Sequence, residues 1–185
     1  MKTKDITFTA IMLSILIVCS QISIPIGPVP ITSQTLAILL IGYFLSPKKS
    51  ALATTLYLIM GLAGLPIFSA FSGGSQSILM PSFGFILGFI PASYVHSKYL
   101  EKYSNLEIKH LVISGILSFS ITYIIGLTYM AAILNLYLNS GLTLTGILMA
   151  GFIPFIPGDI LKLIVGILLA KQVLPIIRYK FSLTE

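Results

Sequence analysis

The sequence predicts an all-α integral membrane protein: a single membrane domain over residues 1–185, with six transmembrane helices and both termini cytoplasmic. Three observations predict it. The chain is 56% hydrophobic and only 9% charged, with a mean hydropathy of +1.02, far more apolar surface than a soluble domain needs. Its apolar residues are gathered into runs on the scale of a hydrocarbon core about 30 Å thick. Of its 11 basic residues, all but Lys162 fall in alternate linkers and at the two ends. Those positions are Lys2 and Lys4, then Lys48 and Lys49, then Lys98, Lys102 and Lys109, and finally Lys171, Arg178 and Lys180. The intervening linkers 25–33, 64–83 and 139–156 hold no Lys, Arg, Asp or Glu. The positive-inside rule then places the charged linkers in the cytoplasm and the uncharged ones outside, giving a multi-pass protein of the cell membrane.

The first span is Ile6–Ile24, read as retained and not as a signal peptide because no small-residue cleavage pattern leads into a polar mature domain. Ala10 and Ser14 make a small-xxx-small face on it, which lets another helix approach closely in lipid or serves ordinary internal packing. Pro25, Pro28 and Pro30, with Gly27, break the helix. Thr32 or Ser33 is placed to cap a short second span, Gln34–Leu45, in whose first turn Gln34 is either a capping group or a ligand contact. Ala51–Ala63 is the third span, with Tyr57 near its middle as a packing residue or a pocket wall. The uncharged stretch 65–83 is rich in Gly and Ser but interspersed with Ile, Leu and Met, which suggests a lid folding back over apolar surface.

Gly84–Tyr99 is the fourth span, and the charged segment 96–110 after it is a water-exposed linker with surface histidines at His96 and His110. Neither histidine has a carboxylate or cysteine at ligand spacing. Leu111–Leu138 is one long or kinked span carrying Tyr123, Gly126 and Tyr129 on one stripe, where Gly126 admits either a flat group or a neighbouring helix. Residues 144–155 are too short to span and form a partial helix that bends at Pro157 into the sixth span, which runs to Ile177.

The segment F-I-P-F-I-P-G-D-I-L-K, 152–162, opens that last span with Asp159 and Lys162 three positions apart, on one helical face. Each such charge costs about 2.5–3.5 kcal/mol at mid-bilayer, so an embedded pair marks a site by default. Apart from this pair the outer half of the molecule is neutral, and three irregular segments converge on the helix start, whose free N–H groups and dipole favour an anion. A small molecule with a carboxylate or carbonyl and N–H groups fits there. The alternative is a self-satisfied pair that locks the helix start.

These segments resemble the BioY family, the biotin-binding S components of energy-coupling factor (ECF) transporters. The resemblance rests on I-P-I-G-P-V-P-I-T-S-Q-T-L-A at 24–37, Y-L-I-M-G-L-A-G-L-P-I-F at 57–68, the serine and glycine lid, Y-I-I-G at 123–126 and F-I-P-G-D-I-L-K at 155–162. It implies the ECF S-component fold, with biotin captured from outside and docking on a membrane coupling subunit that carries two ATPases. It further implies substrate contacts at Asp159 and Lys162, and at Gln34, Tyr123 and the lid around Ser72, with the docking face at Ala10 and Ser14. The lid departs from the family form: it reads A-F-S-G-G-S-Q, and P-S-F-G-F stands where a second glycine followed by tyrosine is usual. Lys162 is assigned to the biotin carboxylate and Asp159 to an N–H or to orienting Lys162.

Other function classes find less support. The net charge of +6 would suggest nucleic acid in a soluble domain, but here the basic residues are topology determinants. One cysteine, Cys19, excludes an intramolecular disulfide and a multi-cysteine metal site, and reads as a small core residue. No G-x-x-x-x-G-K-[ST] loop is present, so energy from ATP has to come from a partner. A stand-alone or proton-coupled carrier of another small carboxylate, with Asp159 as the proton site, is the alternative. An enzyme is not expected, since no histidine, second acid or catalytic serine motif accompanies the pair. No cofactor is expected.

Overall fold

The computed structural model describes residues 3–103 and 107–181, with side chains as far as residue 175. Lys2, Arg178 and Lys180, which the topology reading counts, and the middle of the charged linker, 104–106, lie outside the residues so described. The chain forms α1 (Thr3–Gln21), a two-stranded antiparallel ribbon of β1 (Ser23–Ile24) and β2 (Ile31–Thr32), α2 (Gln34–Phe44), α3 (Pro47–Leu62), α4 (Phe83–Leu100), α5 (Ile108–Ala132), α6 (Leu144–Gly151) and α7 (Ile156–Phe181). A π turn, Ile133–Tyr137, continues α5.

The stretches Thr3–Gln21, Ile108–Tyr137 and Leu144–Pro175 are long and apolar enough to cross a membrane. The first helix stops three residues before the expected Ile24, because Ser23 pairs with Thr32 and Ile24 with Ile31. That pairing satisfies backbone groups in a linker whose prolines forbid a continued helix.

Helix α2 is the centre of the bundle. Its 11 residues reach only about 16 Å, far short of a hydrocarbon core about 30 Å thick. Gln34 and every residue from Ala37 to Phe44 are buried in protein, packed against α1, α4, α5 and α7. A short helix is tolerated there because it does not face lipid with its ends unsatisfied. Helices α4 and α5 pack most extensively, brought close by small residues: a Cβ on Gly88 would lie 3.1 Å from the Thr122 Cα, and one on Gly126 would lie 2.5 Å from the Phe85 ring. The flat group that Gly126 admits is thus Phe85 of the neighbouring helix.

Charge and the uncharged linkers segregate to opposite ends. At one end Lys49 pairs with Asp5 at 2.8 Å, joining the starts of α3 and α1, and Tyr103 stacks on His110 with ring centroids 3.7 Å apart. At the other end the 65–83 segment folds back on the bundle. Ser20 Oγ donates to the Ile67 carbonyl at 2.6 Å, Gln21 Nε2 donates to the Phe68 carbonyl at 3.2 Å, and the Phe71 N–H donates to Gln21 Oε1 at 2.9 Å.

One expectation is corrected. His96 is not a surface residue; it is completely buried, edge-on to Tyr43 with centroids 4.5 Å apart. His96 lies on the last turns of α4, which ends at Leu100, and faces inward against Gly42, while Lys98, two positions on, faces out to pair with Glu101. A Cβ on Gly42 would lie 2.4 Å from the His96 Cγ and 2.9 Å from its Cβ, close to the backbone of α4. Gly42→Ala is therefore expected to destabilise the protein by about 1–3 kcal/mol, although helix propensity alone favours alanine by about 1 kcal/mol. A thermal midpoint in detergent at or above that of the wild type would show that the α2–α4 crossing yields instead.

Candidate functional site

The start of α7 is built by prolines. Pro154 and Pro157 stop α6 from running straight on, a 3₁₀ turn Ile153–Phe155 makes the corner, and α7 begins with Asp159 in its first turn. Asp159 is 5% exposed and the Lys162 side chain is largely covered, so both charges are removed from bulk water. Such burial is tolerated only with direct pairing and satisfied hydrogen bonds, and both are present. Lys162 Nζ donates to Asp159 Oδ1 at 3.0 Å. From α2, the Thr35 hydroxyl accepts from Lys162 Nζ at 2.9 Å and donates to the same Asp159 oxygen at 3.2 Å. From α5, the Tyr123 hydroxyl donates to Asp159 Oδ2. Three helices thus meet on one carboxylate.

These groups open onto a partly enclosed cleft. Val29, Pro30, Phe85, Ile86, Phe89 and Phe155 supply apolar walls, while Thr32, Gln34, Thr35, Ser69, Ser82, Thr122 and Tyr123 place polar groups around them. Tyr123 is held edge-on between Phe85, at 6.0 Å, and Phe152, at 4.9 Å. The arrangement offers a cation, a carboxylate and several amide and hydroxyl groups to a ligand with an apolar body.

Of the residues singled out from sequence, Asp159, Lys162, Gln34 and Tyr123 share this cleft. Tyr57 and Ser72 do not line it. Tyr57 is completely buried beneath Gln34, accepting from Gln34 Nε2 at 2.7 Å and donating to the Ile67 carbonyl at 3.0 Å. It ties Gln34 to the base of the lid. Ser72 shapes the lid itself: its carbonyl accepts from the Phe68 N–H at 2.9 Å and its hydroxyl donates to the Ser69 carbonyl at 2.8 Å. The lid residue that reaches the cleft is Ser69. The turn between them holds Ala70 and Phe71 both at φ +55°, a conformation unfavourable for residues with a Cβ and kept only by surrounding bonds such as that to Gln21.

Sequence reasoning missed Thr35, Ser69 and the phenylalanine walls. Thr35 follows Gln34 inside the I-T-S-Q-T motif, but nothing in the spacing says that it faces α7. Among the described residues no group of three or more His, Cys, Asp or Glu is placed to hold a metal ion.

A second feature lies on α1, away from the cleft. Ala10 and Ser14 are exposed and line a shallow groove with Thr7, Ile11, Ile15, Val18 and Cys19. Cys19 is half-buried: it packs against the main hydrophobic core, as expected of a small apolar residue, and also lines this groove. The Ser14 hydroxyl donates to the Ala10 carbonyl at 3.0 Å and that of Thr7 to the Thr3 carbonyl at 3.0 Å. The small polar groups therefore satisfy themselves on their own helix and leave a flat face suited to close helix approach.

The chain matches the BioY family over residues 1–179. It is 34% identical over 169 residues to the biotin transporter BioY of Thermotoga maritima, covering 91% of this chain and 95% of that protein. To the probable biotin transporter BioY of Pyrococcus horikoshii it is 32% identical over 172 residues, covering 93% and 97%. Among solved structures it resembles the S-component for biotin from an ECF-type ABC transporter, with a TM-score of 0.82 at 26% identity over 93% of this chain and 91% of that one.

Proposed function

The chain belongs to the BioY family of transporter S components, which are not enzymes, and we propose that it captures biotin at the outer face of the cell membrane for an ECF-type importer. The observation that carries this reading is the Asp159–Lys162 pair, buried at the uncharged end of the bundle and opening onto a cleft of aromatic and aliphatic walls. Biotin matches that chemistry: a carboxylate, a ureido ring with two N–H donors and a carbonyl, and an apolar thioether ring. Lys162 takes the carboxylate. Asp159 holds Lys162 and, with Gln34 and Tyr123, serves the polar edge of the ligand.

In this reading six helical segments cross the membrane with both termini cytoplasmic. Helices α1, α3, α4, α5 and α7 each make one crossing, α2 together with its flanking linkers makes the sixth inside the protein, and α6 is the surface-lying preface to α7. The positive-inside distribution and the end-to-end segregation of charge support it. The groove at Ala10 and Ser14 receives the membrane coupling subunit, which carries the ATPases. Calorimetry of the purified protein tests the first half: biotin is expected to bind, and absence of binding rejects the reading. Uptake by cells expressing this chain alone separates the importer from the stand-alone or proton-coupled carrier. Uptake that needs the coupling subunit and ATPases is the expected result.

A further inference from the structure

We propose that Thr35 is a positioning residue for ligand binding, the group that aims the Lys162 ammonium into the cleft; this rests on the biotin reading above. Lys162 carries three N–H donors. One goes to Asp159 Oδ1 at 3.0 Å and one to Thr35 Oγ1 at 2.9 Å, and among the described residues no third acceptor meets it. Asp159 alone would leave the ammonium free to swing about a single bond on a flexible four-carbon stem. The second anchor comes from a different helix, α2, and so stops that motion and leaves the remaining donor directed toward the cleft that Lys162 lines.

The Thr35 hydroxyl does this because it is engaged in both directions. It accepts from Lys162 and donates to Asp159 at 3.2 Å, closing a three-membered ring of side chains across α2 and α7. Thr35 also lines the cleft beside Gln34, so the ring sits where a ligand would meet it. The need is for a hydroxyl specifically: valine has nearly the same shape but neither donates nor accepts, and serine keeps both functions.

The test compares Thr35→Val and Thr35→Ser with the wild type in purified protein, reading biotin affinity by calorimetry and the ligand-free thermal midpoint. Thr35→Val is expected to bind biotin at least about tenfold more weakly, the loss expected when a hydrogen bond to a charged group goes unmade. Thr35→Ser is expected to stay within about threefold of the wild type in affinity and to keep its midpoint, whereas Thr35→Val is expected to lower the ligand-free midpoint as well, because Lys162 and Asp159 each lose a largely buried hydrogen bond. Unchanged affinity in Thr35→Val overturns the inference. So does an equal loss in Thr35→Ser, because that outcome assigns the residue to packing and not to its hydroxyl. Should Thr35→Val not purify as a single species, Thr35→Ala supplies the hydroxyl-free reading under the same criteria. A wild type that fails to bind biotin overturns the underlying functional reading instead.

Discussion

Lys162→Ala is expected to weaken biotin binding at least about 100-fold, corresponding to about 3 kcal/mol or more. Two losses combine. The cleft loses its only embedded cation among the described residues, so an anionic ligand no longer has a partner in a region shielded from water. Asp159 is left as a buried carboxylate held only by the Thr35 and Tyr123 hydroxyls, and its uncompensated charge then faces the ligand. Calorimetry on the purified variant, alongside its thermal midpoint, checks this. Affinity within about threefold of the wild type would remove Lys162 from the site.

Ala10→Trp is expected to leave biotin affinity within about threefold of the wild type while reducing uptake at least about tenfold in cells that contain the coupling subunit and ATPases. Ala10 lies on the exposed face of α1, in a groove whose hydroxyl groups are satisfied within the helix, and the ligand cleft is lined by other elements. An indole there holds an approaching helix several ångströms away and touches nothing in the binding site. Normal uptake by this variant would reject the groove as the docking face.

The two features that these variants probe were legible in the sequence to different degrees. Ala10 and Ser14 were visible as a spacing, because a helix turns positions four apart onto one face and nothing else is needed to place them together. Asp159 and Lys162 were visible for the same local reason, combined with the cost of embedding charge. Gln34 was visible as an amide in an apolar run, but its two roles were not separable until Tyr57 and Thr32 were seen on either side of it. Tyr57 and Ser72 carried the right chemistry for a pocket, yet Tyr57 supports Gln34 from beneath and Ser72 shapes the turn that presents Ser69. His96 shows the opposite error: its neighbours in sequence are charged, but its position on α4 turns it inward against Gly42.

What the sequence determined by itself is everything set by local chemistry and by the solvent. Apolar runs demanded a membrane, one-sided lysines predicted an orientation, prolines ended helices, and an i, i+3 acid–base pair at a helix start marked a candidate site. Only the tertiary structure decided which further residues from distant segments join that candidate site: Thr35 from α2, Ser69 from the lid, and the phenylalanines of α4. The physical reason is that side-chain contacts across helices depend on how each helix is rotated and how closely its neighbours approach. Those quantities are fixed by packing around glycines such as Gly42, Gly88 and Gly126, far along the chain from the charges they align.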